Sequence, residues 1–292
     1  MEAIKTPTFW ERKSVRDIFI KIVLYIIVLI GAFILMIPFF WMLSTALKGF
    51  EEAFQIPPQW IPKPPHWENF YVGWTTLPFG LYLKNTVIII VLTLIGQIFS
   101  ASLVAFGFSR LHFPGRDFLF FVMLSTMMIP FQVTMIPTYI LFRYLRWIDT
   151  FKPLIVPAYF GGGAFFIFLL RQFFLTIPPE MDDAARIDGC NNFNIYLKII
   201  LPLAKPALGT VAIFSFMWQW NDFMGPLIYI NSMDKRTVAL GLAAFQAETA
   251  FRTSGWNLIM AVAFLLMLPC LIIFFLAQRQ FIQGVVITGV KG

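Results

Sequence analysis

"IPPEMDDAARIDGCNNFNIYLKIILPLAKP", Ile177 to Pro206, is a short charged stretch between two long apolar runs. It carries Glu180, Asp182, Asp183 and Asp188 beside Arg186, Lys198 and Lys205. Pro178 and Pro179 suit the first turn of a helix, where a missing amide hydrogen costs nothing. Glu180, Asp182 and Asp183 follow, and their charge complements the positive end of the helix dipole. Ala184, Ala185 and Arg186 propagate a helix well, and Gly189 can take the positive φ that ends one. Asn191 or Asn192 can then cap a second helix through "FNIYLKII", which Pro202 and Pro206 close.

The surroundings make this loop unusual. Apolar residues are 59% of the 292-residue chain and charged residues 13%, against roughly 45–50% and about 25% in ordinary globular domains. Too little polar surface remains to cover one soluble core, so lipid must solvate most of the chain. A bilayer-crossing helix needs about 20 apolar residues. Spans are expected over residues 18–47, 83–108, 117–141, 154–174, 207–230 and 257–278, with residues 177–206 as a polar loop between the fourth and fifth. The fold class is all-α, a six-helix polytopic membrane protein forming one domain over residues 1–292. The first apolar run is too long for a signal-peptide core and no cleavage signature follows it, so it is expected to remain as a span. Prolines 38, 130, 137, 226 and 269 are expected to kink spans, which a bundle tolerates.

Six spans place both termini on one side. Lys5, Arg12, Lys13, Arg16, Lys21, Arg110, Arg116, Arg171, Arg186, Lys198, Lys205, Arg279 and Lys291 give that side 13 bases, against nine on the other. The bias assigns the termini and the charged loop to the cytoplasm. The net charge of +7 is thereby topological, and a nucleic-acid surface, which needs one soluble basic face, is not expected. The outer loop "KGFEEAFQIPPQWIPKPPHWENFYVGWTTLPFG" is expected to be extended by its prolines, with aromatics at the membrane interface. Cys190 and Cys270 indicate neither a disulfide framework nor a metal site.

In the charged loop, Met181, Ala184, Ala185 and Asp188 fall at i, i+3, i+4 and i+7 on one helical face. Interfacial helices usually carry basic polar faces and bulky anchors. A helix opening with acids and showing alanines fits better into a groove on a soluble partner.

"DDAARIDG" followed by "IILPLAKPAL" resembles the EAA motif, EAA-x3-G-x9-I-x-L-P, of permease subunits of ATP-binding-cassette importers. Asp183, Ala184 and Ala185 stand for EAA, Gly189 for the glycine, and Ile199, Leu201 and Pro202 for the close, with Asp in place of Glu at the first position. "MMIPFQVTMIPTYILF", "WQWNDFMGPL", "MAVAFLLMLP" and the tail "QRQFIQGVVITGVKG" are similar to the carbohydrate-importer branch, the MalG-like inner-membrane permeases. The resemblance implies a half-channel completed by a second permease subunit, two ATPase subunits below it, and an extracytoplasmic solute-binding protein delivering sugar. It makes Glu180, Met181, Asp183, Ala184, Ala185, Arg186, Asp188 and Gly189 the ATPase-docking coupling helix.

The chain has no G-x-x-x-x-G-K-[ST] phosphate loop. No enzyme activity, cofactor or metal of its own is expected, ATP and magnesium belonging to the partners. Gly161–Gly163 lacks the lysine and is expected to permit close helix packing. Trp218, Asn221, Asp222 and Gly225 share one face of an expected fifth span. An intramembrane acid marks a water-lined path or a structural tie to backbone freed by Pro226. Gln132, with Thr134 between Pro130 and Pro137, is a second polar interruption and a candidate for the path. Asn85 and Gln97 read as helix–helix glue. The competing function class is an ion-coupled carrier or membrane scaffold, for which a repeat and midplane titratable groups would be needed; Asp222 is the single midspan acid and no repeat is visible.

Overall fold

A computed structural model of the protein describes residues 13–252 and 255–289; the expected basic anchors Lys5, Arg12 and Lys291 lie outside them, and the side chains of Lys13, Arg16 and Arg279 are likewise not described. In chain order the helices are α1 (Lys13–Ala46), α2 (Glu68–Thr76), α3 (Phe79–Arg110), α4 (Arg116–Ser125), α5 (Phe131–Tyr144), α6 (Lys152–Ile155), α7 (Ala164–Phe174), α8 (Glu180–Ile187), α9 (Asn192–Ile195), α10 (Leu201–Leu203), α11 (Lys205–Trp220), α12 (Met224–Tyr229), α13 (Val238–Arg252) and α14 (Trp256–Gly289). No strand occurs among the described residues, and the fold is the all-α membrane type.

Four stretches are long and apolar enough to cross a bilayer: Asp17–Ala46, Phe79–Arg110, Lys152–Phe174 and Trp256–Gln278. Two bent pairs raise the number to six if each is one span, Arg116–Met128 with Phe131–Tyr144 at 98° and Asn192–Leu203 with Lys205–Trp220 at 76°. The third expected span, 117–141, is therefore not a continuous helix. A proline cannot donate the bond an α-helix needs and its ring crowds the preceding turn, so Pro130 leaves the helical region at ψ 139° and opens α5, while Pro137 is accommodated inside α5.

The fifth expected span, 207–230, is also interrupted: α11 stops at Trp220 and α12 starts at Met224. At about 1.5 Å per residue α11 alone falls short of a hydrocarbon core of about 30 Å. The fourth, 154–174, contains a 3₁₀ turn (Val156–Tyr159) and the three glycines before α7 begins. All three glycines have positive φ, 97°, 62° and 88°, a region that L side chains rarely adopt. At Gly162 a Cβ would also lie 2.8 Å from both Ala101 Cβ and Gln97 O on α3. Close packing is thus what this glycine provides, at a helix break.

Backbone contacts group the described residues into two units, 13–73 with 255–264 and 74–252 with 265–289. In the first, the end of α1 is tied to α2 and to the start of α14. Asn69 Nδ2 donates to the carbonyls of Ala46 (2.9 Å) and Lys48 (2.8 Å), and Asn257 Nδ2 to the Lys48 carbonyl (3.0 Å). These bonds satisfy carbonyls a helix terminus leaves open. The Lys48 ammonium is buried with no hydrogen-bond acceptor and lies 4.2 Å above the Trp41 ring, whose π face replaces part of the lost hydration. The proline-rich loop after α1 is less extended than its prolines imply, since it contains a 3₁₀ turn (Glu51–Phe54) and α2. Trp41 and Trp60 meet edge to face at 5.2 Å.

In the second unit α3 is the central element, touching α7, α11, α6 and α13. Gly96, Ser100, Ala101 and Ala105 give it a face of small residues, the pattern that lets helix backbones approach in a membrane. Ala101, Ala105 and Phe106 join Phe166, Ile167, Leu170 and Phe174 of α7 and Val211 of α11 in one buried cluster. Gln97 acts as the expected glue: its Nε2 donates to the Gly162 carbonyl (2.6 Å), and its Oε1 accepts from Ser215 Oγ (2.5 Å). Asn85 instead ties α3 to a loop, donating to the carbonyls of Asp234 and Arg236 at 2.8 and 3.0 Å.

Candidate functional site

The charged loop folds into the two helices its residues imply. α8 opens directly after Pro179 with Glu180, Asp182 and Asp183 in its first turn. It ends in a Schellman arrangement: Cys190 N donates to Ala185 O (2.9 Å), Gly189 N donates to Arg186 O (3.0 Å), and Gly189 holds φ 81°. The glycine is thus the turn residue such an ending requires. Asn191 caps the second helix, its side-chain oxygen accepting from Asn194 N at 2.8 Å. α9 then widens into a π-helical turn, Tyr196–Ile200, before α10. The wider turn takes the Pro202 ring away from the Lys198 carbonyl, where an α-helix would place a clash. Pro206 lies in the first turn of α11, so it opens that helix rather than closing the loop.

α8 is two-faced, but not along the line the spacing gave. Asp182 and Ala185, three apart, are buried at 4% and 6% exposure and face inward. Glu180, Met181, Asp183, Ala184, Arg186, Ile187 and Asp188 are exposed, Ile187 at 88%. Ala185 is therefore removed from the expected docking face, since it belongs to the buried cluster with Phe106, Ile195 and Tyr196. Ile187 takes its place as the most protruding apolar side chain of the outer face. Arg186 Nη1 reaches Asp183 Oδ1 at 3.3 Å across one turn of that face.

The inward face meets Arg110, the last residue of α3. Its Nη2 donates to the carbonyls of Phe174 and Ile177, both at 2.7 Å, and its Nε stands 3.5 Å from Asp182 Oδ2. Both side chains are 6% exposed. Burial raises the Asp182 carboxyl above its usual range, opposed by the Arg110 charge. The sequence marks Arg110 only as a base of the second-to-third loop and Asp182 only as an acid of the first turn of α8; nothing in the spacing marks either as buried.

A second polar feature lies at the break between α11 and α12. Met217, Trp218, Gln219, Asn221 and Asp222 line an open pocket of 480 Å³. Trp218 is half exposed, with its ring centroid 5.0 Å from that of Phe166 and 5.5 Å from that of Phe165. Asn221 Nδ2 donates to Met217 O (2.8 Å), and Asp222 Oδ1 accepts from Gly225 N (3.0 Å). Trp218, Asn221 and Asp222 are thus brought together, by a helix break instead of a continuous face. Gln132 is exposed near the start of α5 and is not among the residues lining this pocket. Among the described residues no group of three or more His, Cys, Asp or Glu is arranged to hold a metal ion.

Residues 97–287 match the family model for the binding-protein-dependent transport system inner membrane component. A probable ABC transporter permease protein, YurM of Bacillus subtilis, is 33% identical over 87% of this chain and 83% of its own. The sn-glycerol-3-phosphate transport system permease protein UgpE of Yersinia pestis is 30% identical, covering 94% of this chain and 98% of its own. In fold, the chain is similar to one from a bacterial ABC transporter involved in the import of the acidic polysaccharide alginate, with TM-score 0.78, 23% identity and coverage of 94% and 99%.

Proposed function

We propose that this chain, which belongs to the family of binding-protein-dependent transport system inner membrane components, is one of two permease subunits of an ATP-driven carbohydrate importer. Two ATPase subunits bind ATP and magnesium beneath it, and an extracytoplasmic solute-binding protein delivers the solute. Both termini and α8 are cytoplasmic, and residues 1–292 make up one permease domain.

The observation that carries this reading is α8 itself. An eight-residue helix is locked at its C-terminal end by Gly189 and buried on one side through Asp182 and Ala185. Its other side presents Met181, Ala184 and Ile187 ringed by Glu180, Asp183, Arg186 and Asp188. Small and apolar side chains let a groove approach closely, and the acids fix its orientation. ATP-driven closure of the ATPase pair has to bind one state of the spans better than the other, because a ligand shifts an equilibrium only by its differential affinity.

On the solute side, Trp218 and the polar groups of Asn221 and Asp222 suit a hydroxylated ring, whose apolar face stacks on an aromatic while its hydroxyls find partners. The relatives are named for sn-glycerol-3-phosphate and alginate, and we infer a carbohydrate or polyol-derived solute for this chain too. Gln132 is kept as a separate contact on the path.

The test is to purify the chain from detergent with its partners, reconstitute the complex in liposomes, and follow uptake of a glycan panel. ATP-dependent uptake that requires the binding protein is the expected result. Uptake by the chain alone, driven by a proton gradient without ATP, would establish the ion-coupled carrier instead.

A further inference from the structure

We infer that the buried Arg110–Asp182 pair is the strut through which α8 moves the membrane helices, making both of them positioning residues for transport. The inference rests on the transporter reading above. It concerns which contact carries motion away from the docking helix, and the answer is not given by the docking face.

Arg110 connects three elements at one point. Its backbone ends α3, its Nη2 holds the carbonyls of Phe174 and Ile177 at and just beyond the end of α7, and its Nε faces Asp182 on α8. A guanidinium is planar with five donors in a fixed fork, so one side chain can hold these partners in a set geometry where a lysine could not. The end of α7 carries the negative pole of its dipole, which a cation complements. Both side chains are 6% exposed, so the attraction is little screened. α3 and α7 in turn are packed through the buried cluster that also holds Ala185 and Tyr196, and Tyr196 Oη lies 2.8 Å from Ser102 Oγ on α3. α8 is therefore fixed to α3 and α7, the continuous core of its unit, while α4 and α5 are joined only across a 98° bend.

The contact is also incomplete. The Nε to Oδ2 distance of 3.5 Å is longer than a hydrogen bond, and both Arg110 Nε and Asp182 Oδ1 are buried without a hydrogen-bond partner. Buried donors and acceptors are normally paired. A small approach of α8 toward α3 would bring Nε and Oδ2 into bonding range, so pressure on α8 from below has a defined seat against which to act.

The experiment uses the complete complex and two readouts. In a chain whose Cys190 and Cys270 are replaced by serine, spin labels are attached at Asn192→Cys at the exposed start of α9, directly after the turn that ends α8, and Leu103→Cys on the exposed side of α3, and their distance distribution is measured with and without Asp182→Asn. Separately, ATP hydrolysed per solute imported is measured in liposomes for wild type, Asp182→Asn, Asp182→Glu and the control Asp117→Asn, an exposed acid of α4 paired with its neighbour Arg116. The expected result is a distribution at least twice as broad in Asp182→Asn, with ATP per solute raised ten-fold or more. Asp117→Asn should stay within two-fold of wild type, and Asp182→Glu should recover part of the coupling. An unchanged distribution, or an unchanged ATP-to-solute ratio with a broadened one, overturns the strut. Failure of the wild-type complex to hydrolyse ATP would remove the transporter reading, and the label distances would still judge the brace. If Asp182→Asn does not assemble, Arg110→Lys takes its place in both measurements under the same criteria.

Discussion

Lys235 reaches Asp149 twice, with its ammonium 2.9 Å from the carboxylate Oδ2 and 2.7 Å from the Asp149 carbonyl. The same carboxylate accepts from Ser232 Oγ (2.5 Å), Ser232 N (2.9 Å) and Asn231 N (3.0 Å), and Asp149 N donates to Tyr229 O (2.8 Å). One residue thus joins the loop after α5 to the loop after α12. It does so at φ 60°, which Asp adopts more readily than most side chains.

These donors depress the Asp149 carboxyl far below its usual range, the Ser232 bonds contributing most. A carboxylate whose folded pKa is depressed adds stability above the unfolded value of about 3.9, and loses it as pH falls through the folded one. The apparent melting temperature in detergent is therefore expected to owe no slope to this clasp between pH 5 and 8. Asp149→Asn keeps the backbone tolerance but loses the charge, and should lower stability by about 1.5–3 kcal/mol. A thermal scan at pH 7 checks it.

Gly189→Ala isolates a backbone cost. A Cβ there meets nothing within 4 Å, so only the φ of 81° resists it. The expected loss is about 1–2 kcal/mol, read as faster proteolysis within residues 186–192 while the spans stay resistant.

Gly162→Ala should be far worse. The new methyl would meet Ala101 Cβ and Gln97 O at 2.8 Å, in a residue also at positive φ. Separation of the break from α3 would cost the Gln97–Gly162 bond as well, and a loss of more than about 3 kcal/mol is expected. Reduced yield of folded protein by detergent size-exclusion chromatography is the readout.

Ala184→Arg tests the docking face without touching the core. The side chain is exposed, unlike Ala185. The chain is expected to insert and purify as wild type, while retention of the ATPase subunits falls at least ten-fold, equivalent to about 1.4 kcal/mol. Undiminished co-purification would remove α8 from that interface.

Trp218→Ala and two Asp222 variants separate solute contact from helix architecture. Asp222 accepts the Gly225 amide, which Asn retains and Ala abolishes. Uptake by Asp222→Asn should stay within about two-fold of wild type and that of Asp222→Ala should collapse, while Trp218→Ala raises the KM for uptake with folding intact. A collapse in Asp222→Asn would assign the carboxylate charge to the solute.

Much of the charged loop was legible residue by residue, because its signals are local. Acids in a first helical turn, glycine in a C-terminal cap and asparagine at an N-cap each act within four residues along the chain, and α8, Gly189 and Asn191 behave accordingly, with Pro178 and Pro179 just ahead of the helix. The broken helices were harder. Apolar content marks a segment as lipid-solvated whether or not its helix is continuous, so residues 117–141 and 207–230 read as kinked spans and not as broken ones. Whether Pro130 breaks a helix and Pro137 rides inside one depends on which neighbours hold the freed backbone groups.

The sequence by itself determined that this chain lives in a bilayer, where its long apolar runs lie, and that a capped acidic helix interrupts them, since hydropathy and capping need no distant partner. Only the tertiary structure decided which side of that helix is buried. Asp182 turns inward toward Arg110, 72 positions earlier in the chain, whose guanidinium at the end of α7 offsets part of the cost of desolvating the acid, while Ala185 turns inward into the apolar cluster with Phe106, Ile195 and Tyr196.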